Sequence, residues 1–338
     1  MLGGREMTNN NLQWYHEALL VDAHNDTLSR VKEAGIDFCQ RQTCTHTDLP
    51  RLIEAGVNLQ VLAMFAPPNA NKSVTLHKIL SYVEYALQCK DKDSRLFLIE
   101  TKDDLGELKT GGDRLGVILG VEGGDCLGGE LWTLQFLFRL GVRLLTLTWS
   151  NRNALADGIW EAGSKGGLTS FGCEVVQEME RLGMLIDVSH LAPTGFWDVS
   201  RLVTGPFIAS HSNAAALCQH PRNLTDKQAR SIADHGGVIG VNFCQPHLVA
   251  DETAHIDHVI GHIEHLWKVA GEDHVGLGSD YDGIDAPPVG LEDVTCLPVL
   301  IQRLGKRGHS AKRIEKFMGQ NFQRVFEAIL PCSSKATT

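Results

Sequence analysis

Leu115-Gly116-Val117-Ile118-Leu119-Gly120-Val121-Glu122-Gly123-Gly124 is an apolar run that stops on a carboxylate. Leu115 to Val121 is far too short for a membrane helix and the right length for a buried strand. A carboxylate is costly to place at the end of such a strand unless something cationic meets it. The paired glycines beyond it suit a tight turn that leaves room above the sheet. A salt bridge to a loop arginine would satisfy Glu122 as well as a metal would. The single run therefore does not decide its partner.

Its recurrence decides more. Comparable runs are Ala18–His24, Val57–Phe65, Val142–Trp149, Met184–His190, Pro206–His211, Val238–Phe243 and His274–Asp280, making eight with the first. Helical patterns fill the gaps, the signature of βαβ units and a parallel sheet. Thr47-Asp48-Leu49-Pro50 offers an N-cap and an early proline for a helix that Gly56 ends. Thr225-Asp226-Lys227-Gln228 has capping-box spacing, with a stop near Gly236-Gly237. Eight strands fit an α/β fold of the (β/α)8 TIM-barrel type; an open doubly wound sheet is the rival. In five of the eight runs an ionisable His, Asp or Glu follows directly on the apolar stretch. Barrel enzymes place their chemistry at those carboxyl ends, where the βα loops converge. An open sheet would gather it at one switch point. The barrel is the predicted fold, as a single domain over 1–338 with a core of about 18–326. The Gly-rich connection Asn151 to Gly172 is expected to lie over the mouth.

Composition narrows the function classes. Of 338 residues, 43% are hydrophobic and 21% charged, which excludes disordered and fibrous chains. A net charge of −10 argues against a nucleic-acid partner, which needs a basic surface. No apolar run approaches the length of a membrane helix, and the start, MLGGREMTNNN, has no apolar signal region. Nine cysteines without CxxC spacing read as reduced thiols of a cytoplasmic protein.

The run ends carry the chemistry. In Asp22-Ala23-His24-Asn25-Asp26 strand alternation places His24 and Asp26 on one face, a two-ligand clip for a divalent metal such as zinc. Glu122 ends the third run, His190 and His211 follow the fifth and sixth, and Asp280 follows the eighth. Three imidazoles and three carboxylates exceed what one tetrahedral zinc needs. They suit two metals about 3.5–4 Å apart that share a carboxylate. Zinc, manganese and cobalt all accept such N/O donors.

VDAHNDTL, GVEGG, LIDVSH, SHSNA, HPRNLTD and GLGSDYDG, in this order, resemble the membrane (renal) dipeptidase family, a zinc-dependent branch of the amidohydrolase-like barrels. The resemblance spans Leu20 to about Phe326. It implies a binuclear zinc dipeptidase with two Zn2+ per chain, a dipeptide substrate that can end in a D-residue, and a homodimer. By resemblance His24 and Asp26 bind one zinc, His190 and His211 the other, and Glu122 bridges them. Asp280 matches the family's acid/base carboxylate, and Arg222 the arginine that meets substrate. One position departs: Trp149 stands where animal members carry a substrate-contacting histidine, and Arg152 or Asn153 could substitute as donors. The end, PCSSKATT, lacks the animal enzymes' hydrophobic anchor tail.

Other reactions on the same barrel are the alternatives: a lactonase, phosphotriesterase or deaminase, or a silent relative that only binds. Many such barrels bridge their metals with a carboxylated lysine on strand four. Leu144-Leu145-Thr146-Leu147-Thr148 has none, which favours the dipeptidase branch. His255, His258, His262 and His265 share a helical stripe but read as an outer helix between Ala254 and Ala270. Cys39, Cys44 and His46 lack zinc-finger spacing, and His16-Glu17 lacks the second histidine of HExxH. Trp132, Phe136 and Phe138 read as helix packing, while Trp149 and Trp160 flank the Gly-rich connection and read equally as lining of the mouth or as ordinary hydrophobic packing.

Overall fold

The computed structural model describes Tyr15, residues 17–68 and residues 71–333. The expectations placed on residues 1–11, on His16 and on the final residues 334–338 fall outside them. The strands are β1 (Val21–Asn25), β2 (Leu59–Phe65), β3 (Leu96–Leu98), β4 (Leu115–Glu122), β5 (Val142–Thr146), β6 (Leu185–Asp187), β7 (Ile239–Val241) and β8 (Val275–Leu277). Their order is β6-β5-β4-β2-β1-β8-β7 and every pairing is parallel. Ile208 bridges Asp187 of β6, and Ala209 bridges Ile239 of β7, which closes the ring. The result is the predicted eight-stave α/β barrel.

Two elements differ from expectation. The Pro206–His211 run pairs only through Ile208 and Ala209. The next N–H, that of Ser210, is taken by the Asp187 carboxylate at 2.8 Å, which ends the ladder on the β6 side. Strand β3 is not among the eight runs; it pairs with β4 outside the ring. Three residues are too short a run to show a period.

Alternate residues of the staves, Val21, Ala23, Leu59, Val61, Ile118, Leu144, Leu185, Ile208 and Val238, form one buried cluster. Phe322 and Phe326, from the helix Asn321–Ile329, join it and plug the barrel at the strands' amino ends. Nearer the carboxyl ends the interior turns polar, with Thr146, Asp187 and Ser210 all fully buried. Register then fixes the rim: β2 and β4 run in step from Leu59–Gly116 to Phe65–Glu122, so those last two residues finish side by side.

Helix starts follow the local chemistry. Asp48 accepts Arg51 N–H at 2.8 Å and begins the helix Leu49–Glu54, with Pro50 in its first turn. Thr225 and Gln228 form the expected capping box of the helix Asp226–Asp234. The outer helix Ile256–Ala270 buries His262, which accepts Ala214 N–H at 3.0 Å, while His265 meets Asp226 and His258 faces Glu252. The histidine stripe is packing and surface pairing. Among the described residues no helix is long and apolar enough to cross a membrane.

Candidate metal centre

The strand ends converge as the sequence predicts. Glu122 Oε1 lies 3.0 Å from His190 Nε2, 3.6 Å from His211 Nε2 and 3.9 Å from His24 Nε2. His24 Nε2 is 3.5 Å from Asp26 Oδ2 and 3.9 Å from Asp280 Oδ1. Two groups of donor atoms are compact enough for one ion each, His24–Asp26–Glu122 and Glu122–His190–His211. Glu122 belongs to both. In a third group, His24–Asp187–His211, the Ser210 hydroxyl bonds all three residues.

Backbone geometry aims these groups. His190 and Asp280 have φ of 67° and 64°, a left-handed conformation uncommon outside glycine. The chain turns out of the strand at those two residues. Such strain persists where the surroundings hold it. Asp280 N–H is fixed by His24 O at 3.0 Å, and its Oδ2 accepts Asn242 Nδ2–H at 2.9 Å. That leaves Oδ1 toward the cluster. Gly283 lies so close to the Asp26 and Asp280 carboxylates that a Cβ there would overlap both.

The donor set fits divalent cations. His24 Nε2 is buried with no hydrogen-bond partner, and His190 Nε2 faces His211 Nε2 at 2.9 Å. Two ring nitrogens at that distance need a proton or a cation between them. Burial, with Arg222 and His24 adding, pushes both imidazoles well below the usual histidine range, toward the neutral form that ligates. Burial also opposes charge on His24, but Asp26, then Glu122 and Asp280, outweigh it and lift that imidazole to about 10. Burial pushes Glu122 upward against the pull of His24 and Arg222. Asp280 is pushed up to about 7, by burial first and by Asp26 and Glu122, against His24 and Arg222. Three carboxyl groups crowded out of water are the environment that a cation relieves.

Behind these groups stand residues the sequence reading passed over. Asp22 accepts Ser279 N–H at 2.9 Å and Ser279 Oγ–H at 2.6 Å, tying β1 to β8. Asp187 accepts Ser189 N–H, Ser210 N–H, Thr146 Oγ1–H and Ser210 Oγ–H, all within 3.0 Å. Ser150 Oγ meets His190 Nδ1 at 2.9 Å. A signal for the two aspartates was present: each interrupts an apolar run, and a buried carboxylate needs donors.

The expected substrate-side residues divide. Arg222 is buried; its Nη2 donates to His211 O at 3.2 Å and its Nε has no partner. It lines a cavity of about 400 Å³ together with His190, Ser212 and Asn223. Trp149 reaches the rim, its ring 6.0 Å from His190, 5.1 Å from Phe65 and 4.8 Å from Trp160. Asn153 does not serve as a free donor. Its Nδ2 donates to Leu147 O at 2.9 Å and to Asp125 at 3.4 Å, while its Oδ1 accepts Leu155 N–H and Ala156 N–H. It pins the loop instead. Arg152 is more than half exposed and pairs through its Nε with Asp157. The connection beyond β5 reaches the mouth as expected, with Ile159 N–H on His190 O at 2.8 Å.

A parallel α/β barrel with acidic and imidazole side chains gathered at its carboxyl rim, in groups compact enough to hold an ion, is the arrangement of metal-dependent barrel enzymes. Within that class the chain belongs to the membrane dipeptidase family, peptidase family M19, whose sequence profile matches residues 10–337. A Klebsiella pneumoniae protein described as an uncharacterised protein in the pqqA 5′ region is 39% identical over 224 residues, 64% of this chain and 82% of that one. The dipeptidase AC, a metallopeptidase of family M19, superposes with a TM-score of 0.85 at 28% identity over 93% of this chain and 99% of its own. A metallopeptidase from Rhodobacter sphaeroides, liganded with a phosphinate mimic of the dipeptide L-Ala-D-Ala, gives the same TM-score of 0.85 and 28% identity over 93% and 99% of the two chains.

Proposed function

We propose that this protein is a binuclear zinc dipeptidase that hydrolyses free dipeptides, including those that end in a D-residue. One observation carries the reading: a single carboxylate oxygen, Glu122 Oε1, lies within 3.9 Å of the Nε2 atoms of three histidines. His24 and Asp26 would hold one ion and His190 and His211 the other, with Glu122 within reach of both. Bound there, the ions supply Lewis acidity and a water acidic enough to attack near neutral pH.

The chain's own groups do the rest. Arg222 is a buried guanidinium without a carboxylate partner among the described residues, and a dipeptide's terminal carboxylate supplies one. That anchor also measures length, because a longer peptide puts its carboxylate elsewhere. Asp280 Oδ1 faces the cluster while Asn242 holds Oδ2, so Oδ1 takes the proton of the attacking water and returns it to the leaving amine. Trp149, backed by Phe65 and Trp160, forms an aromatic wall against the substrate where the family histidine is missing. The L-Ala-D-Ala mimic bound by the Rhodobacter protein supports a D-residue at the second position. Nine free cysteines support a reducing, cytoplasmic setting.

The test is a library of L,L and L,D dipeptides, with lactones and phosphotriesters beside it, assayed after zinc loading. Dipeptides are cleaved, tripeptides are not, and chelation abolishes turnover and lowers the melting temperature. Cleavage of a lactone or phosphotriester with all dipeptides inert would replace this function with another.

A further inference from the structure

We infer that Asp187 and Ser210 are positioning residues that keep the Nδ1 atoms of His24 and His211 protonated, so that both imidazoles turn Nε2 to the rim. The inference rests on the metal-centre reading for its purpose, and on hydrogen-bond counting for its substance.

Asp187 is fully buried and has four donors within 3.0 Å. Two are backbone N–H groups, those of Ser189 and Ser210, which can only donate. Both approach Oδ1, so Oδ2 is left to accept the Thr146 and Ser210 hydroxyls at 2.6 and 2.7 Å. A serine hydroxyl has one proton, and Ser210 gives it to Asp187. Its oxygen then has only lone pairs to offer. Those face His211 Nδ1 at 2.8 Å and His24 Nδ1 at 3.2 Å. The Ser189 hydroxyl, at 3.4 Å, is farther than either. Each imidazole must therefore carry its proton on Nδ1 to make its bond, and each Nε2 is left toward Glu122.

One hydroxyl thus serves two imidazoles from staves that β7 and β8 separate around the ring, with a carboxylate deciding which way it points. His190 differs. Its Nδ1 meets Ser150 Oγ at 2.9 Å, and no carboxylate stands behind that serine among the bonds it makes. Ligating histidines are commonly oriented through their second nitrogen, and loss of such a partner typically lowers metal affinity by about 10–100-fold. The same principle predicts a larger effect at Ser210 than at Ser150, because Ser210 holds two ligands.

Long-range 15N–1H NMR of the histidine side chains in the metal-free chain tests the count without activity or metal. His211 is expected as the Nδ1–H tautomer, and a wild-type spectrum with its proton on Nε2 overturns the proposal whether or not the protein is a dipeptidase. Ser210→Ala should give mixed tautomers at His211 and weaken zinc binding by roughly 10–100-fold by calorimetry. Ser210→Thr keeps the hydroxyl and should restore both readouts. Zinc affinity in Ser210→Ala equal to wild type refutes the positioning role. Should Ser210→Ala fail to fold, the wild-type spectrum and Ser210→Thr still decide. If the NMR result holds while no dipeptide is cleaved, the tautomer inference stands and the proposed function falls.

Discussion

Replacing Arg222 by methionine should make the protein more stable and less active at once. Arg222 is 7% exposed, donates one bond to His211 O at 3.2 Å, and leaves Nε unpartnered. Burial pushes its guanidinium below the usual arginine range, against the opposing pull of Asp280, Glu122 and Asp187. An apolar chain of similar length removes the cost of burying that charge, a gain of about 1–3 kcal/mol, and forfeits one hydrogen bond, a loss of about 1 kcal/mol. The balance is neutral to positive. For a chain of this size each kcal/mol is worth roughly 2 °C in melting temperature, so the variant should melt at the same temperature or a few degrees higher. Losing the pair with a substrate carboxylate costs about 2–5 kcal/mol, which is roughly 30- to 4,000-fold in kcat/KM. Differential scanning calorimetry of the zinc-loaded variant, with dipeptide kinetics, reads both numbers. A variant that melts several degrees lower while kcat/KM holds would show that the guanidinium serves the fold, and the substrate anchor would have to be sought elsewhere.

Asp280→Asn should depress kcat by about 10²–10⁴-fold with zinc content unchanged by elemental analysis. Zinc lost along with turnover would make Asp280 a ligand first and remove its proton-transfer role. A remote pair gives a pH prediction. Glu272 accepts from Lys316 Nζ at 2.8 Å and Arg313 Nε at 2.9 Å, which hold its carboxyl at about 2. Its folded pKa lies below the unfolded one, so the pair stabilises above the unfolded value of 4.5 and loses that contribution as pH falls toward 2. Glu272→Gln should cost at most about 1 kcal/mol at pH 7, since the side chains are partly exposed, and the difference in denaturant midpoint should vanish near pH 2. A deficit that stays constant across that range would assign it to packing.

The barrel was legible because burial and chemistry coincide along the chain. Runs such as Leu115–Glu122 are apolar while they are inside the sheet and turn ionisable where they leave it. That boundary marked five stave ends, and the structure brings His24, Glu122, His190, His211 and Asp280 from those ends to one rim. Spacing could not show what holds them. Asp22 and Asp187 lie inside their runs and work through Ser279 and Ser210, residues from other staves more than twenty positions away. Asn153 illustrates the opposite error. Its residue type suits a substrate donor, but all its polar atoms are spent on Leu147, Asp125, Leu155 and Ala156. Only three-dimensional neighbours distinguish a free amide from a committed one. The sixth stave was overestimated for a related reason, since its ladder with β6 ends where a carboxylate captures Ser210 N–H.

Anomalous scattering at the zinc edge, from crystals grown with zinc, tests the bridging role of Glu122 most directly. Two peaks are predicted, one beside His24 and Asp26, the other beside His190 and His211, with the Glu122 carboxylate between them. A single peak, or two that leave Glu122 without a metal neighbour, would contradict the shared-carboxylate centre.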